Sequence, residues 1–373
     1  MTNRAVFLPY RPKTILNSHK RPDHWFWSRY SAYPYTGCQH GCKFCYSREV
    51  KYAHAVDPQD FDTTIKVKEK AADLLRRALV RKPVDILCTG DYQPAEREFG
   101  ITRQMLEVCR ELRFPVFMLS RSPLILRDLD LLRDINAAAP SVAAFSIIST
   151  PESPHHAIAR CMENLAPPVE TRFAAMREIA DAGILTGICF MPILPGVCDD
   201  KANLEAVVRA TAENGGRFVL AGGLTLADQQ KEFFFNFLEE NYPDLVPRYR
   251  TWYPPGSYDA VSYPWNRIAL RIRELCEKYG IRDRMPRPVI PGDKLAVNKR
   301  IAELLADKAY ELEIRGEPNH YVWAYRKAAW AVEDLETDIR LVYSALGVKG
   351  IRSIPDMGEQ PGRDVEKMLS GLM

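Results

Sequence analysis

At 373 residues, with 46% apolar and 27% charged residues and a net charge of +3, the chain has the makeup of an ordinary globular protein with room for one enzymatic core and a smaller appended domain. No apolar run reaches the roughly 18–20 residues that span a bilayer, and MTNRAVFLPYRPKTILNSHKRP lacks the apolar stretch of a secretory signal, so no membrane partner is expected and the cytoplasm is the expected compartment. Nine cysteines, three of them within eight residues and the rest scattered, fit a reduced compartment with one metal site better than a disulfide framework.

Residues 1–30 carry Arg4, Arg11, Lys13, Lys20, Arg21 and Arg29 against Asp23 alone, with the rings of DHWFWSRYSAYPY among them. Basic groups beside flat rings suit a nucleic acid; the same residues also read as a solvated arm whose rings cap a core. From about 66 to 280 helical and strand signals alternate. KVKEKAADLLRRAL reads as a helix before the strand VDILCTG, and ITRQMLEVCREL as a helix before PVFMLS. LILRDLDLLRDI precedes SVAAFSIIS, TRFAAMREIADAG precedes ILTGICFMPI, and NLEAVVRATAENGG precedes RFVLAGGLTL. Short apolar strands between helices of about three turns predict an α/β fold with a parallel sheet, a partial (β/α)6 TIM-like barrel with its chemistry at the C-terminal strand ends.

Residues 243–263, rich in Pro, Tyr and Gly, read as an irregular connection, and WNRIALRIRELCEKYG as the helix that closes the core. From about 293 the pattern is all helical. The predicted organisation is an arm (1–30), a barrel core (31–290) and a small all-α domain (291–373), with the barrel complete without the last of these.

YPYTGCQHGCKFCYSREV contains C-x3-C-x2-C, formed by Cys38, Cys42 and Cys45. Three thiolates can hold three irons of a cubane cluster, and Gly37 and Gly41 let the loop wrap it. The other use of such thiolates is zinc, which ordinarily takes four protein ligands in two separated pairs; His40 is the candidate fourth ligand, badly placed inside the loop.

The motif, C-x3-C-x-φ-C with aromatic φ, resembles that of the radical S-adenosylmethionine (SAM) superfamily. The resemblance implies a [4Fe–4S] cluster on the three cysteines, SAM on its open iron, a one-electron reductant of the flavodoxin or ferredoxin class, and Phe44 against the adenine. It places Thr89, Gly90 and Asp91, in LCTGDYQPAERE, at the SAM amino group, and Ser146 and Ser149 near ribose and methionine. Arg160, Glu163 and Arg172 fall where a guanidinium would bind the methionine carboxylate, and Pro192, in CFMPILPG, where the backbone contacts adenine.

The stretch 13–290 is similar to the spore photoproduct lyase-related branch of that superfamily, through KTILN, YPYTGCQHGCKFCYSR, TGDYQPAEREFGITRQMLEV and GICFMPILPGV. By that resemblance Cys88 returns a hydrogen atom to a substrate radical, Tyr46 relays one toward the cofactor, and the activity is that of a lyase in DNA repair. Phe44 stands where spore photoproduct lyase has tyrosine. NHYVWAYRKAAWAVEDL and LGVKGIRSIPDMGEQPGRDVEKML resemble the helix-hairpin-helix domain of family X DNA polymerases, a DNA-binding module. Two departures weaken that use: Asp356 replaces the first hairpin glycine, and Asp364 replaces the Schiff-base lysine. Residues 293–373 hold 12 Lys/Arg against 14 Asp/Glu, a net −2. The expected function is a radical SAM enzyme acting on a DNA photolesion. The alternative is a radical SAM enzyme modifying a peptide or small metabolite, with the C-terminal helices as a docking module.

Overall fold

The computed structural model describes residues 5–372; Arg4, expected in the N-terminal arm, lies outside them. In chain order the strands are β1 (Val6–Tyr10), β2 (Asn17–Ser18), β3 (Tyr30–Ser31), β4 (Tyr35–Thr36), β5 (Thr64–Lys68), β6 (Leu87–Thr89), β7 (Val116–Ser120), β8 (Ser141–Ser146), β9 (Leu185–Ile193) and β10 (Val219–Gly223). β3, β6, β7, β8, β9 and β10 lie side by side in sequence order with every neighbouring pair parallel, and β2 runs antiparallel to β3 at one edge. Helices cover the crossovers, which makes an open, partial TIM-like barrel of six parallel strands. β1, β5 and β4 form a second, smaller sheet.

Strand residues alternate between two cores, as the period of two requires. Leu87, Val116, Met118, Ala143, Phe145, Ile188, Phe190 and Val219 face the helical coat, packing with Met105, Leu132, Met176, Val207 and Ile272. Cys88, Phe117, Val142, Ala144, Cys189 and Leu220 face the other way. They share a core with Trp27, Met285, Ile301, Leu305, Ala328 and Val332. The inner face of the barrel is therefore packed by the N-terminal segment and by the C-terminal helices Ala296–Ile314 and Asn319–Glu333.

Two local expectations change, and an open choice about the N-terminal rings closes. The helix expected from Lys66 starts at Ala71, because TIKVK is a strand with Ile65 and Val67 buried and its other residues half-buried. Two helices, Asp228–Asn241 and Val246–Trp252, flank and enter the stretch read as irregular. Pro243 and Pro247 stand in first helical turns, where proline's missing N–H costs nothing. The residues of the N-terminal arm do not project freely: Trp27 is 1% exposed and donates from Nε1 to Met285 O at 3.0 Å, Phe26 stacks on Phe117, and Arg284 lies 4.2 Å from the centre of the Trp25 ring. These rings cap a core.

The predicted boundary near 290 falls between the helices Trp265–Lys278 and Ala296–Ile314, and packing runs across it, because side chains from beyond residue 290 fill the inner face of the barrel. Buried Arg287 bonds to Asp85, just before β6, at 3.2 Å and to Glu333 at 2.6 Å, tying the sheet to the C-terminal helices through a buried charge network. Past Asp338, helices Ile339–Arg352 and Glu359–Leu372 are joined by a turn in which Ile354 and Met357 are buried and Asp356 takes φ +61°. No described helix is long and apolar enough to cross a membrane. Trp27→Ala is expected to lower stability by about 3–5 kcal/mol, the usual cost of emptying a large ring from a packed core. Urea unfolding measures it, and a loss under about 1 kcal/mol would contradict the shared core.

Candidate active site

β4 pairs with β5 and delivers the chain into the cysteine loop. Gly37 has φ +85°, and a Cβ there would sit 2.4 Å from Thr64 O, so the turn into the loop admits only glycine. The loop is pinned by Cys38 N to Phe61 O (2.8 Å), Gly41 N to Cys38 O (3.1 Å) and Lys43 N to Met162 O (2.8 Å). Fully buried Gln93 adds a side-chain clamp, accepting from Gln39 N at 3.0 Å and donating to Gly37 O at 3.0 Å. Ala95 N donates to Gln39 Oε1 at 2.6 Å. The sequence places Gln93 two residues after the TGD turn, so it was in view but not singled out.

Burial pushes the Cys42 thiol up to about 11 and Cys38 well above the ordinary range. Arginines surround the loop. Buried Arg48 donates from Nε to Cys42 O at 3.3 Å, and its guanidinium lies 4.2 Å from the Phe233 ring centre. Arg121, immediately after β7, lies 5.3 Å from the Phe44 ring centre, bonds to Glu163, and is raised by the charges of Cys42, Glu163, Cys45 and Cys38 against its own desolvation. Arg121 was not singled out from the sequence, although a charged residue at the end of the strand PVFMLS was the signal.

The residues expected around SAM divide into two groups. Phe44, Asp91 and Glu163 converge with Arg121 on the cysteine loop. Burial, partly opposed by hydrogen bonds from Gln93, raises the Asp91 carboxyl to about 7, and its charge reaches Cys38. Gly90 has φ +101° and leaves no room for a Cβ against Met118. The others are engaged within the fold. Thr89 Oγ1 donates to Ala32 O at 2.6 Å, and Ser149 Oγ lies 3.1 Å from His156 Nδ1. Arg160 donates to Glu163 O at 2.8 Å. Arg172 is fully buried, donating to Ser146 O and Pro167 O and pairing with Glu163 at 2.9 Å. Pro192, joined to Met191 by a cis peptide, sits at the end of β9. His40 is buried, its imidazole pushed down to about 3 by burial and then by Arg121 and Arg172.

On the inner face, Cys88 Sγ lies 3.1 Å from Tyr33 Oη, and burial pushes the thiol up to about 12. Tyr33 and Tyr46 are 36% and 52% exposed, yet desolvation raises both phenols.

The radical SAM superfamily matches residues 32–223, just over half of the chain. The chain belongs to the radical SAM superfamily. It is 29% identical over 269 residues to an uncharacterized protein of Mycobacterium tuberculosis, covering 70% of this chain and 77% of that one. An uncharacterized protein of Methanocaldococcus jannaschii is 25% identical over 245 residues, 65% of this chain and 86% of that one. Among solved structures, a spore photoproduct lyase mutant with bound AdoMet and dinucleoside spore photoproduct is similar in fold. Its TM-score is 0.53 at 15% identity, over 74% of this chain and 80% of that one.

Radical SAM enzymes use a [4Fe–4S] cluster and SAM, and the residues present fit that pair. Three free thiols share one loop, soft donors of the kind iron–sulfur clusters take. Arginines stand beside them to balance thiolate charge. Among the described residues no three His, Cys, Asp or Glu side chains converge as the ligands of a single ion would; a cubane, whose protein-bound irons are separate corners, asks for no such convergence. Arg121→Ala is expected to keep its iron but bind SAM about 10- to 100-fold more weakly, the worth of a charged hydrogen bond. Equilibrium binding to the iron-loaded chain reads this, and unchanged affinity would remove Arg121 from the SAM site.

Proposed function

We propose that this radical SAM enzyme repairs a photolesion in DNA, and that Cys38, Cys42 and Cys45 hold the [4Fe–4S] cluster at which a reductant of the flavodoxin or ferredoxin class drives cleavage of SAM to methionine and a 5′-deoxyadenosyl radical. In this reading Phe44 packs against the adenine, Arg121 pairs with the methionine carboxylate, and Asp91 accepts from the ammonium. Arg160 and Arg172 hold the loop that carries Glu163, and Glu163 in turn orients Arg121. Backbone groups around Gly90 and Pro192 complete the pocket, with Ser146 and Ser149 at its far side. The enzyme works in a reducing cytoplasm, where the six cysteines outside the cluster loop stay free of disulfides.

Cys88 is the observation that carries the substrate reading. Its thiol stands on the inner face, 3.1 Å from Tyr33 Oη, and burial keeps it protonated at neutral pH. A protonated thiol gives up a hydrogen atom readily, whereas a thiolate has none to give. A substrate radical brought to the thiol is thereby returned to a closed shell as the repaired base. The fold likeness to spore photoproduct lyase supports a lesion of that type, drawn out of the polymer to reach the thiol. The turn Ser353–Gly358 and the helix after it are the part of the C-terminal domain assigned to DNA.

One observation favours a peptide or small metabolite as substrate. The N-terminal rings are spent on the core, and the C-terminal region carries net negative charge, so neither supplies the basic surface a polymer of phosphates attracts. Ultraviolet-damaged DNA incubated anaerobically with enzyme, SAM and reductant, followed by nucleoside mass spectrometry, separates the two. The expected result is loss of one photoproduct, and with Cys88→Ala continued SAM cleavage but misquenched adducts. If every photoproduct persists and Cys88→Ala matches the parent, the lesion reading fails.

A further inference from the structure

We propose that Lys66 and Lys68 of β5, with the open face of β1 beside them, seat the phosphates of a single nucleic-acid strand. This deepens the DNA reading above, because it supplies the cationic surface that the N-terminal rings and the C-terminal region do not. In the sheet β1–β5–β4, Ile65 and Val67 point into the core, and strand alternation turns Lys66 and Lys68 to the opposite face. Register puts Leu8 beside Lys66 and Tyr10 beside Lys68. Val6, Leu8 and Tyr10 are all exposed on β1, an edge strand. The face therefore carries a row of apolar groups with two ammonium groups alongside. Lys68 Nζ donates to Tyr33 O at 2.8 Å, and Lys66 Nζ donates to His54 O.

An ammonium has three N–H donors. Among the described residues each of these two is bonded to a backbone carbonyl and not to a carboxylate. The carbonyls fix where the charges stand and leave two donors on each for another acceptor. A third cationic group is close: burial, and then the charges of Lys68 and Lys66, hold the exposed His54 imidazole below its ordinary range. Burial likewise lowers Lys68 against the charge of Asp91, a carboxyl itself raised to about 7. Like charges gathered with so little counter-charge repel one another, and an anion seated among them removes that repulsion. Ammonium groups with free donors suit phosphate oxygens. The Tyr10 ring, level with Lys68, offers a base a surface to stack on, and Val6 and Leu8 offer apolar contact to sugars and thymine methyl groups. From Val6 to Tyr10 the row runs about 13 Å at the rise of a strand, longer than one phosphate needs. Tyr33 joins this face to the candidate site, since its carbonyl accepts from Lys68 while its hydroxyl lies 3.1 Å from Cys88 Sγ.

Binding to the full-length chain, without SAM or reductant, tests this apart from any repair activity. The probes are an undamaged, fluorescein-labelled single-stranded oligodeoxynucleotide and thymidine monophosphate. Replacing both lysines, Lys66→Gln with Lys68→Gln, is expected to weaken oligonucleotide binding about 10- to 100-fold. The slope of log affinity against log salt is expected to shrink by about 1.4, the share of two phosphate contacts on a single strand. Tyr10→Ala is expected to cost about 10-fold, the worth of one stacked base. Lys66→Arg with Lys68→Arg keeps both charges and is expected to keep the parent's salt slope. A melting temperature equal to the parent's shows that the glutamine pair is folded. Affinity and slope unchanged in the glutamine pair overturn the proposal. So does a parent that binds thymidine monophosphate as tightly as the oligonucleotide, which would make the anion a small metabolite. A parent that binds no oligonucleotide removes the strand site and the DNA reading together. Binding lost in the glutamine pair while every photoproduct persists in the repair assay upholds the strand site and removes the lesion reading alone.

Discussion

Gathering three thiols on one tight loop, Cys42 buried and Cys38 and Cys45 half-buried, is unfavourable for thiolate chemistry unless something nearby takes up the charge, and the top of this barrel is organised around that requirement. Gly37 and Gly41 turn the loop, Gln93 and Gln39 lock it to the turn after β6, and Arg48 braces it from below through Cys42 O. Arg121 brings a guanidinium from the end of β7, held in place by Glu163, which buried Arg172 also grips. Positive charge is thus built in where three thiolates and a cluster would leave a net negative one.

The same strands that end at this site also divide the molecule into two cores. Alternate residues face the helical coat or the barrel interior, and the interior is filled by Trp27 and the C-terminal helices. Cys88 belongs to that inner layer, so its thiol is held by packing that extends to residues 296–332. The C-terminal helices therefore support the site mechanically, whatever else they bind. Arg287, bonded to both Asp85 and Glu333, couples the start of β6 to those helices, and losing Arg287 would leave the buried Glu333 carboxylate without its cation.

Much of this was legible from the chain alone. Five of the six parallel strands were read from their apolar runs, and the cysteine spacing with Phe44 pointed to the family before any coordinates. What was missed has identifiable causes. TIKVK was absorbed into the following helix because Lys66, Lys68, Glu69 and Lys70 continue a helical-looking charge pattern, while its buried Ile65 and Val67 alternate with period two. Asp228–Asn241 and Val246–Trp252 were hidden by prolines that sit in first turns and break nothing. Arg121 went unremarked because nothing in the sequence says that β7 ends beside the cysteine loop, nor that Arg160 and Arg172 are already bonded to the carbonyls of Glu163, Pro167 and Ser146. Tyr33 could not be singled out at all: its value lies in a contact with a residue 55 positions away.

The electron paramagnetic resonance spectrum of the anaerobically reconstituted, dithionite-reduced chain, recorded with and without SAM, tests the central claim most directly. A [4Fe–4S] signal on about four irons per chain, altered by SAM and abolished in Cys38→Ala, Cys42→Ala and Cys45→Ala, is the predicted result. A colourless protein carrying stoichiometric zinc, with no signal and no response to SAM, would contradict it.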